Sequence, residues 1–233
     1  MIQGKKIVAI IPARGGSKRI PHKNIKLLAG KPLLSYSIDA AIQCRLVDRI
    51  IVSTDDPKIA KVARFDGAEV FMRPREISQD ESSTEDVLIN VAGRLEEEKY
   101  FPDYIVLLQP TSPLRDAPII NKGIKMIVEA DADSLVSVCE IQHYYLAGHF
   151  EGEDYKLEYN KRPFSQKMPK KFRENGALYI TGRDFLLKER NRIGGRIKAL
   201  IMNEVDSIDI DEPSDFEIVE RIIKGKYRGK DKD

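Results

Sequence analysis

The sequence has no tryptophan, two cysteines, three histidines and almost no net charge. Each shortage removes a class of function. Cys44 and Cys139 cannot build the disulfide framework of a small secreted domain. His22, His143 and His149 lack the short spacing of zinc ligands, so no zinc site is expected. Lysine and arginine number 39 against 37 acidic residues, a balance of +2 that argues against bulk electrostatic binding to nucleic acid. No segment approaches the roughly 18–20 apolar residues of a membrane span. The opening MIQGKKIVAIIPARGG holds only a short apolar run, ended by a proline and an arginine, with no small-residue cleavage site, so no signal peptide is expected. The expectation is a cytoplasmic protein with neither nucleic acid nor membrane as its partner.

What is present is enough for one large core: 233 residues, of which 42% are hydrophobic and 33% charged. Lys5 to Ile11 reads as a strand buried on both faces and ends at Pro12. Leu34, Ile38, Ala41 and Ile42 then recur at helical spacing. The cycle repeats, with strands over Arg49–Ser53, Ala68–Met72, Tyr104–Gln109 and Ser134–Cys139. Helices are expected over Pro57–Phe65, Ser83–Glu98 and Ala117–Glu129. Strands alternating with helices of this length predict an α/β fold, a mostly parallel doubly wound sheet with helices on both faces. The rhythm breaks over 140–172, which reads as a hairpin-like insertion, and returns with Gly176–Ile180, Lys198–Met202 and a helix over Pro213–Ile223. The expectation is a single domain, 1–233, with an arm inserted at 140–172. The basic, glycine-broken tail after Ile223 reads as a solubilising end.

In such sheets ligands sit at the carboxyl ends of strands, so the loops there are the places to look for chemistry. After the first strand come Ala13-Arg14-Gly15-Gly16-Ser17-Lys18-Arg19 and, further on, Lys23-Asn24. Paired glycines let backbone N–H groups turn toward an anion, and Arg14, Lys18 and Lys23 add cationic donors. The spacing is neither that of a P-loop nor that of a dinucleotide fingerprint, and a charged surface loop stays open as the alternative. Gln109-Pro110-Thr111-Ser112-Pro113 makes a stiff turn that orients Gln109, a donor and acceptor suited to a sugar or base edge. In an extended segment, Asp209 and Asp211 share a face and suit a hard cation, although Asp211-Glu212-Pro213 equally suits a helix cap. Ser82 and Glu85 stand at capping-box spacing for the helix that begins there, and Ser53-Thr54-Asp55-Asp56 reads as a cap before Pro57.

Taken in order, IPARGGSKRIPHKN, STDD, Arg73-Pro74, LLQPTSPLR, ENGALYI and VDSIDIDEPSDF resemble the motifs of the acylneuraminate (CMP-sialic acid synthetase-like) cytidylyltransferases, from Ile7 to about Ile223. The resemblance implies a nucleotide-diphospho-sugar transferase (GT-A-like) architecture. It also implies a Mg²⁺-dependent reaction joining CTP to a nine-carbon keto-sugar acid, with release of pyrophosphate. On it, Arg14, Lys18 and Lys23 meet the triphosphate and, with Asp211, carry catalysis. Ala13, Arg14, Gly15, Ser17, Asn24, Arg73 and Thr84 line the nucleotide side. Gln109, Arg173 and Tyr179 contact the sugar acid, and Asp209 with Asp211 holds Mg²⁺. The arm at 140–172 resembles a dimerisation segment reaching over the partner's site, which implies a homodimer.

The sequence departs from the family pattern at three places. Arg19 stands where glycine is frequent, Ser165 where an arginine often grips the sugar carboxylate, and His143-Tyr144 where a His-Pro pair is usual. The last two lie on the sugar side and leave Arg162, Lys170 or Arg173 as carboxylate partners. They keep the acceptor open among neuraminate, legionaminate and pseudaminate types, and the base preference with it. An octulosonate or hexose-phosphate acceptor and a catalytically silent nucleotide-binding protein of the same fold are the competing readings.

Overall fold

The first strand, β1 (Ile7–Pro12), sends Ile7, Ala9 and Ile11 to one face and Val8 and Ile10 to the other, and all five are fully buried. A strand apolar on both faces has to be covered on both. The computed structural model describes residues 2–79, 82–143, 146–162, 164, 166 and 168–228. Tyr144, Ser165 and the tail lysines Lys230 and Lys232 lie outside the described residues.

After β1 the chain forms a short hairpin, β2 (Leu27–Leu28) and β3 (Lys31–Pro32), then α1 (Leu33–Gln43), β4 (Arg49–Thr54), α2 (Pro57–Phe65) and β5 (Glu69–Met72). There follow α3 (Thr84–Glu97), β6 (Tyr104–Leu107), α4 (Ala117–Ala130), β7 (Ser134–Glu140), and the arm hairpin β8 (Gly148–Glu151) and β9 (Asp154–Leu157). The described elements end with β10 (Phe172–Gly182), α5 (Arg183–Glu189), β11 (Ile197–Ile201) and α6 (Pro213–Arg228). Among the described residues, the break in rhythm holds a two-stranded hairpin, β8–β9, that forms a separate small sheet.

Seven strands form the central sheet in the order β11-β7-β10-β6-β1-β4-β5. The pairs β1–β4, β1–β6, β4–β5 and β7–β11 are parallel, whereas β10 runs antiparallel to both β6 and β7. The expected mostly parallel α/β sheet is therefore present, with one reversed strand that periodicity did not disclose. The reversal has a simple origin: between β7 and β10 the chain passes through the arm rather than a crossover helix, and only an antiparallel return needs no helix.

Helices α1, α2 and α4 cover the Ile7/Ala9/Ile11 face with Leu34, Ile38, Ile59, Ala63, Ile120, Ile124 and Ile127. The other face takes Leu88, Val91 and Leu95 from α3 and Leu186 from α5. A third apolar cluster joins Phe216, Val219 and Ile223 of α6 to Ile20, Leu28, Leu33, Leu114 and Ile210. Each such side chain contributes roughly 1.5–3 kcal/mol by leaving water. This last cluster matters for the site, because it holds the loops after β1 and β6 and the aspartate segment against one helix.

Two helix starts refine the sequence reading. Asp56 caps α2, accepting from the N–H groups of Lys58 (2.6 Å) and Ile59 (3.4 Å), with Pro57 at the first position. The cap of α3 is Ser83 rather than Ser82: its hydroxyl accepts from Asp86 N at 3.0 Å and donates to the Asp86 carboxylate at 2.7 Å. Glu85 is instead paired with Arg192 at 2.6 Å. The capping pattern was legible, but one residue out of register.

Candidate active site

β4 flanks β1 on one side and β6 on the other, so the chain leaves β1 and β6 in diverging directions. A crevice opens at that switch point, at the carboxyl ends of the strands. It is a cavity of about 590 Å³ lined on one side by Pro12, Arg14, Ser17, Lys18, Arg19, Lys23 and Asn24, and on the other by Gln109, Pro110 and Thr111. Arg73, Gln79, Ser82, Ser83, Thr84 and Val87 close one end, and Asp211 stands at another edge. Among the described lining residues, five cations, Arg14, Lys18, Arg19, Lys23 and Arg73, share the cavity with one carboxylate, that of Asp211.

The first wall is braced from within. Ala13 N donates to Ser53 O (2.9 Å), and Gly15 N donates to the Asp55 carboxylate (3.0 Å). A methyl group on Gly15 would lie 2.7 Å from Asp56 Oδ2, so only glycine fits against the start of α2. Ser17 N donates to Gly15 O (3.1 Å). The amides of Gly15 and Ser17 are therefore spent inside the protein. The expectation that the paired glycines aim their N–H groups at an anion is corrected for Gly15, whose N–H is taken by Asp55, and the cationic side chains carry the wall's charge. Asn24, buried, donates from Nδ2 to Arg14 O at 2.9 Å and so shapes the loop as well as lining the cavity. Lys23 Nζ reaches Ile210 O (2.8 Å) and Asp211 Oδ1 (3.6 Å), tying this loop to the aspartate segment. Arg19 lies 3.3 Å from Glu212 and 3.9 Å from Asp211. Arg73 donates to Ser53 O (2.8 Å) and Ser53 Oγ (3.3 Å). Burial lowers the Arg73 pKa, and the charge of Arg14 pushes the same way against Asp55.

The second wall is a turn. Ser112 N donates to Gln109 O at 3.3 Å, with Pro110 and Thr111 at its corners. Thr111 O accepts from Ile210 N (2.8 Å) and Ser112 Oγ donates to Asp209 Oδ1 (3.2 Å), so the turn docks onto the aspartate segment. Burial raises the Asp209 pKa, and the charge of Asp211 adds to this against the hydroxyls of Thr111 and Ser112 and the ammonium of Lys23. The cap of α6 does not use Asp211: the N–H groups of Asp211 (3.0 Å) and Glu212 (2.8 Å) donate to the Asp215 carboxylate. The Asp211 carboxylate is left facing the cavity. One half-buried and one open carboxylate beside a cationic cleft are the donor set that a hard cation such as Mg²⁺ takes when phosphate oxygens complete its shell. Among the described residues no group of three or more His, Cys, Asp and Glu side chains forms a metal cluster.

Behind the turn, β10 bulges. Its register to β7 breaks between Glu174 and Tyr179, and Gly176 sits inside the break with φ +74°. A methyl there would lie 2.8 Å from Gln109 Oε1. The bulge is held by Asn175, buried, whose Oδ1 accepts from Ser137 Oγ (2.5 Å) and Ala177 N (3.2 Å) and whose Nδ2 donates to Ser207 Oγ (2.8 Å).

Of the residues singled out from the sequence, Arg14, Ser17, Lys18, Lys23, Asn24, Arg73, Thr84, Gln109 and Asp211 line this one cavity. Ala13 and Gly15 build its loop, and Asp209 lies directly behind it against Ser112. Arg173 and Tyr179 are not among the lining residues. Arg173 is exposed on β10, opposite Cys139. Tyr179 is buried, its hydroxyl donating to Glu174 at 3.1 Å and its ring under Arg192 at 4.8 Å. Sequence reasoning missed Gln79, whose carbonyl accepts from Arg14 at 3.5 Å, because nothing in its neighbourhood has a recognisable spacing. It also missed Arg115 and Asn175, although both stand inside motifs quoted for other residues.

The sequence matches the Cytidylyltransferase family over residues 8–225. It is 33% identical over 232 residues to the CMP-N,N'-diacetyllegionaminic acid synthase of Legionella pneumophila subsp. pneumophila, covering 94% of this chain and 97% of that one. It is 32% identical to the N-acylneuraminate cytidylyltransferase of Escherichia coli O18:K1:H7, covering 97% of this chain but only 54%, about half, of that longer protein. The fold is shared with CMP:2-keto-3-deoxy-manno-octonic acid synthetase, solved in complex with CTP, at a TM-score of 0.74 and 19% identity, over 95% of this chain and 99% of that one. With its cationic cleft at the switch point and a family match across nearly its whole length, the chain belongs to the cytidylyltransferase family.

Proposed function

We propose that this cytidylyltransferase joins CTP to a nonulosonic acid, a nine-carbon keto-sugar acid, with Mg²⁺ as cofactor. The anomeric hydroxyl oxygen of the sugar attacks the α-phosphorus of CTP and gives up its proton. The bond from that phosphorus to the bridging oxygen breaks, and pyrophosphate leaves with the electron pair. The observation that carries the reading is the gathering of Arg14, Lys18, Arg19, Lys23 and Arg73 in one cleft with Asp211, because phosphoryl transfer asks chiefly for positioning and charge neutralisation. Arg14, Lys18 and Lys23 hold the triphosphate, with Arg19 beside them. Asn24, Arg73 and Thr84 take the nucleoside side. Gln109, on the opposite wall, takes the sugar acid. Asp209 and Asp211 would hold Mg²⁺, which supplies further neutralisation of charge on the phosphates.

The acceptor class is supported by the two named relatives, one a legionaminic and one an acylneuraminic acid enzyme. A homodimer formed through the arm is part of the same proposal. Its support is the apolar surface the hairpin and its neighbours expose, with Phe150 at 72% and Phe164 at 74% of their full accessibility. A cytoplasmic location agrees with two cysteines that are both free and buried. No helix of the described residues is long and apolar enough to cross a membrane.

The test is pyrophosphate release from CTP and Mg²⁺ with N-acetylneuraminate, legionaminate and pseudaminate, alongside an octulosonate and a hexose 1-phosphate. Release with a nine-carbon acid alone is the expected result. Release confined to the octulosonate or hexose phosphate would replace the acceptor. CTP binding by calorimetry without turnover on any acceptor would point to a silent nucleotide-binding protein.

A further inference from the structure

Among the described residues Arg115 is the one lysine or arginine that is buried, with 1% of its surface exposed. No carboxylate among the described residues pairs with it. Its guanidinium donates to Ala177 O (2.8 Å), Ser37 Oγ (2.7 Å) and Gln109 O (3.4 Å), all neutral acceptors. Ser37 Oγ also donates to Gln109 O at 3.4 Å, so the two side chains close a small ring on the Gln109 carbonyl. Burial, offset only by the more distant charge of Asp116, pushes the Arg115 pKa down to about 9.

For stability alone this is a poor choice, because a buried cation without a counter-charge is costly and a well-packed apolar side chain would serve as well or better. What the arginine does is geometric. While one arm of the planar guanidinium, Nη2, is tied to Ser37 Oγ, the other arm, Nη1, holds both the Gln109 carbonyl, just beyond β6, and the Ala177 carbonyl, just past Gly176 in the β10 bulge. These are the two backbones whose side-chain positions meet where Gln109 Oε1 lies 2.8 Å from the site a Gly176 methyl would occupy. The fork thus fixes the spacing between Gln109 and the glycine that makes room for it.

We propose that Arg115 is a positioning residue for the acceptor, acting through Gln109 without touching substrate. This rests on the reading of Gln109 as an acceptor contact. A lysine in its place keeps the charge but ends in one nitrogen, so it cannot hold the two carbonyls from one position and Ser37 Oγ from another in a fixed plane.

The experiment compares Arg115→Lys, Ser37→Ala, Gln109→Ala and the pair Arg115→Lys/Gln109→Ala. It reads acceptor KM, with whichever sugar acid of the panel releases pyrophosphate, CTP affinity by calorimetry, and thermal midpoint. Arg115→Lys is expected to raise acceptor KM about tenfold or more while CTP affinity stays within about twofold. Adding Gln109→Ala to it should then change little, since residues acting through one another are not additive. Ser37→Ala, the milder lesion if Arg115→Lys does not fold, should raise acceptor KM about threefold, the scale of one hydrogen bond. A readout without any acceptor comes from the Gln109 side-chain amide signals in ¹⁵N spectra, which should move in Arg115→Lys and Ser37→Ala but not in Arg64→Lys on the exposed face of α2. Equal losses in CTP and acceptor binding, multiplicative effects in the pair, or unmoved Gln109 signals would overturn the proposal. Gln109→Ala with normal acceptor KM would instead overturn the acceptor reading of Gln109. Gln109→Ala with raised KM and silent Arg115 and Ser37 variants would overturn the positioning role alone.

Discussion

The two walls of the cleft are made to different specifications. The wall that the proposed function gives to the nucleotide presents long charged side chains from a loop; Arg19, for example, keeps 62% of its side chain exposed. The wall that the proposed function gives to the acceptor presents a neutral carboxamide, Gln109, backed by two buried hydrogen-bonded groups, Arg115 with Ser37 and Asn175 with Ser137 and Ser207. The physics of the two ligand parts explains the difference. Coulomb attraction falls off slowly with distance, so a triphosphate is held by cations placed only roughly. A hydrogen bond to a sugar fails within tens of degrees of misalignment. Rigidity is concentrated where direction matters, and charge where it does not.

The comparison is broken most severely at the point where the walls meet. Asp211→Ala should lower kcat on the order of 10³-fold, as expected when charge neutralisation in phosphoryl transfer is lost, while CTP still binds. Steady-state pyrophosphate release with calorimetry in parallel measures both, and full activity in the variant would remove Asp211 from catalysis.

Gly176→Ala sharpens it. The new methyl would press on Gln109 at 2.8 Å and the backbone is left-handed there, so acceptor KM should rise about tenfold with CTP affinity nearly untouched. Separate titrations of the two substrates check this. A smaller effect is expected from ionic strength. Raising it about tenfold should weaken CTP several-fold more than it weakens the acceptor, because a triphosphate carries several charges and a sugar acid one. Arg14→Met should flatten that salt dependence.

The least effect is expected away from both walls, at the amino ends of the strands. There Asp103 accepts from Lys6 N (2.8 Å) and Lys5 Nζ (3.0 Å). Burial on its own would raise the Asp103 pKa, but these two partners bring it below the usual carboxylate value. A carboxylate with a depressed folded pKa adds stability above its unfolded pKa and loses it as the pH falls through the folded value. Asp103→Asn should therefore lower the thermal midpoint slightly at neutral pH. The gap to the parent should close below about pH 4, with kinetic constants unchanged throughout. A midpoint difference that persists in acid would assign the effect to packing.

The same division explains what could be read from the sequence. Arg14, Lys18, Lys23 and Asn24 lie within eleven residues of one another after a buried strand, so their joint purpose is visible in one line of text. The α/β alternation is visible for the same reason, since each element declares its own period. The acceptor wall is assembled from Ser37, Arg115, Ser137, Asn175 and Ser207, which only the sheet brings together. No local pattern marks Arg115 as buried, since arginine in a loop ordinarily meets solvent. The elements that escaped, β2, β3 and α5, are too short to show a period. The reversed direction of β10 escaped because a strand's apolar pattern reads the same from either end.

β10 advances from Glu174 to Tyr179 while its partner β7 goes only from Val138 to Val136. The sheet therefore carries three more residues on one side than pairing can use. Trimmed of that surplus, the strand could pair with β7 without a break in register. Asn175 and Gly176 live in the surplus, and with them the room for Gln109. In a lineage or a laboratory library, then, deletions at this point should be enriched by selection for folding and purged by selection for turnover. Comparing survivors of the two screens would show how much irregularity the acceptor wall requires.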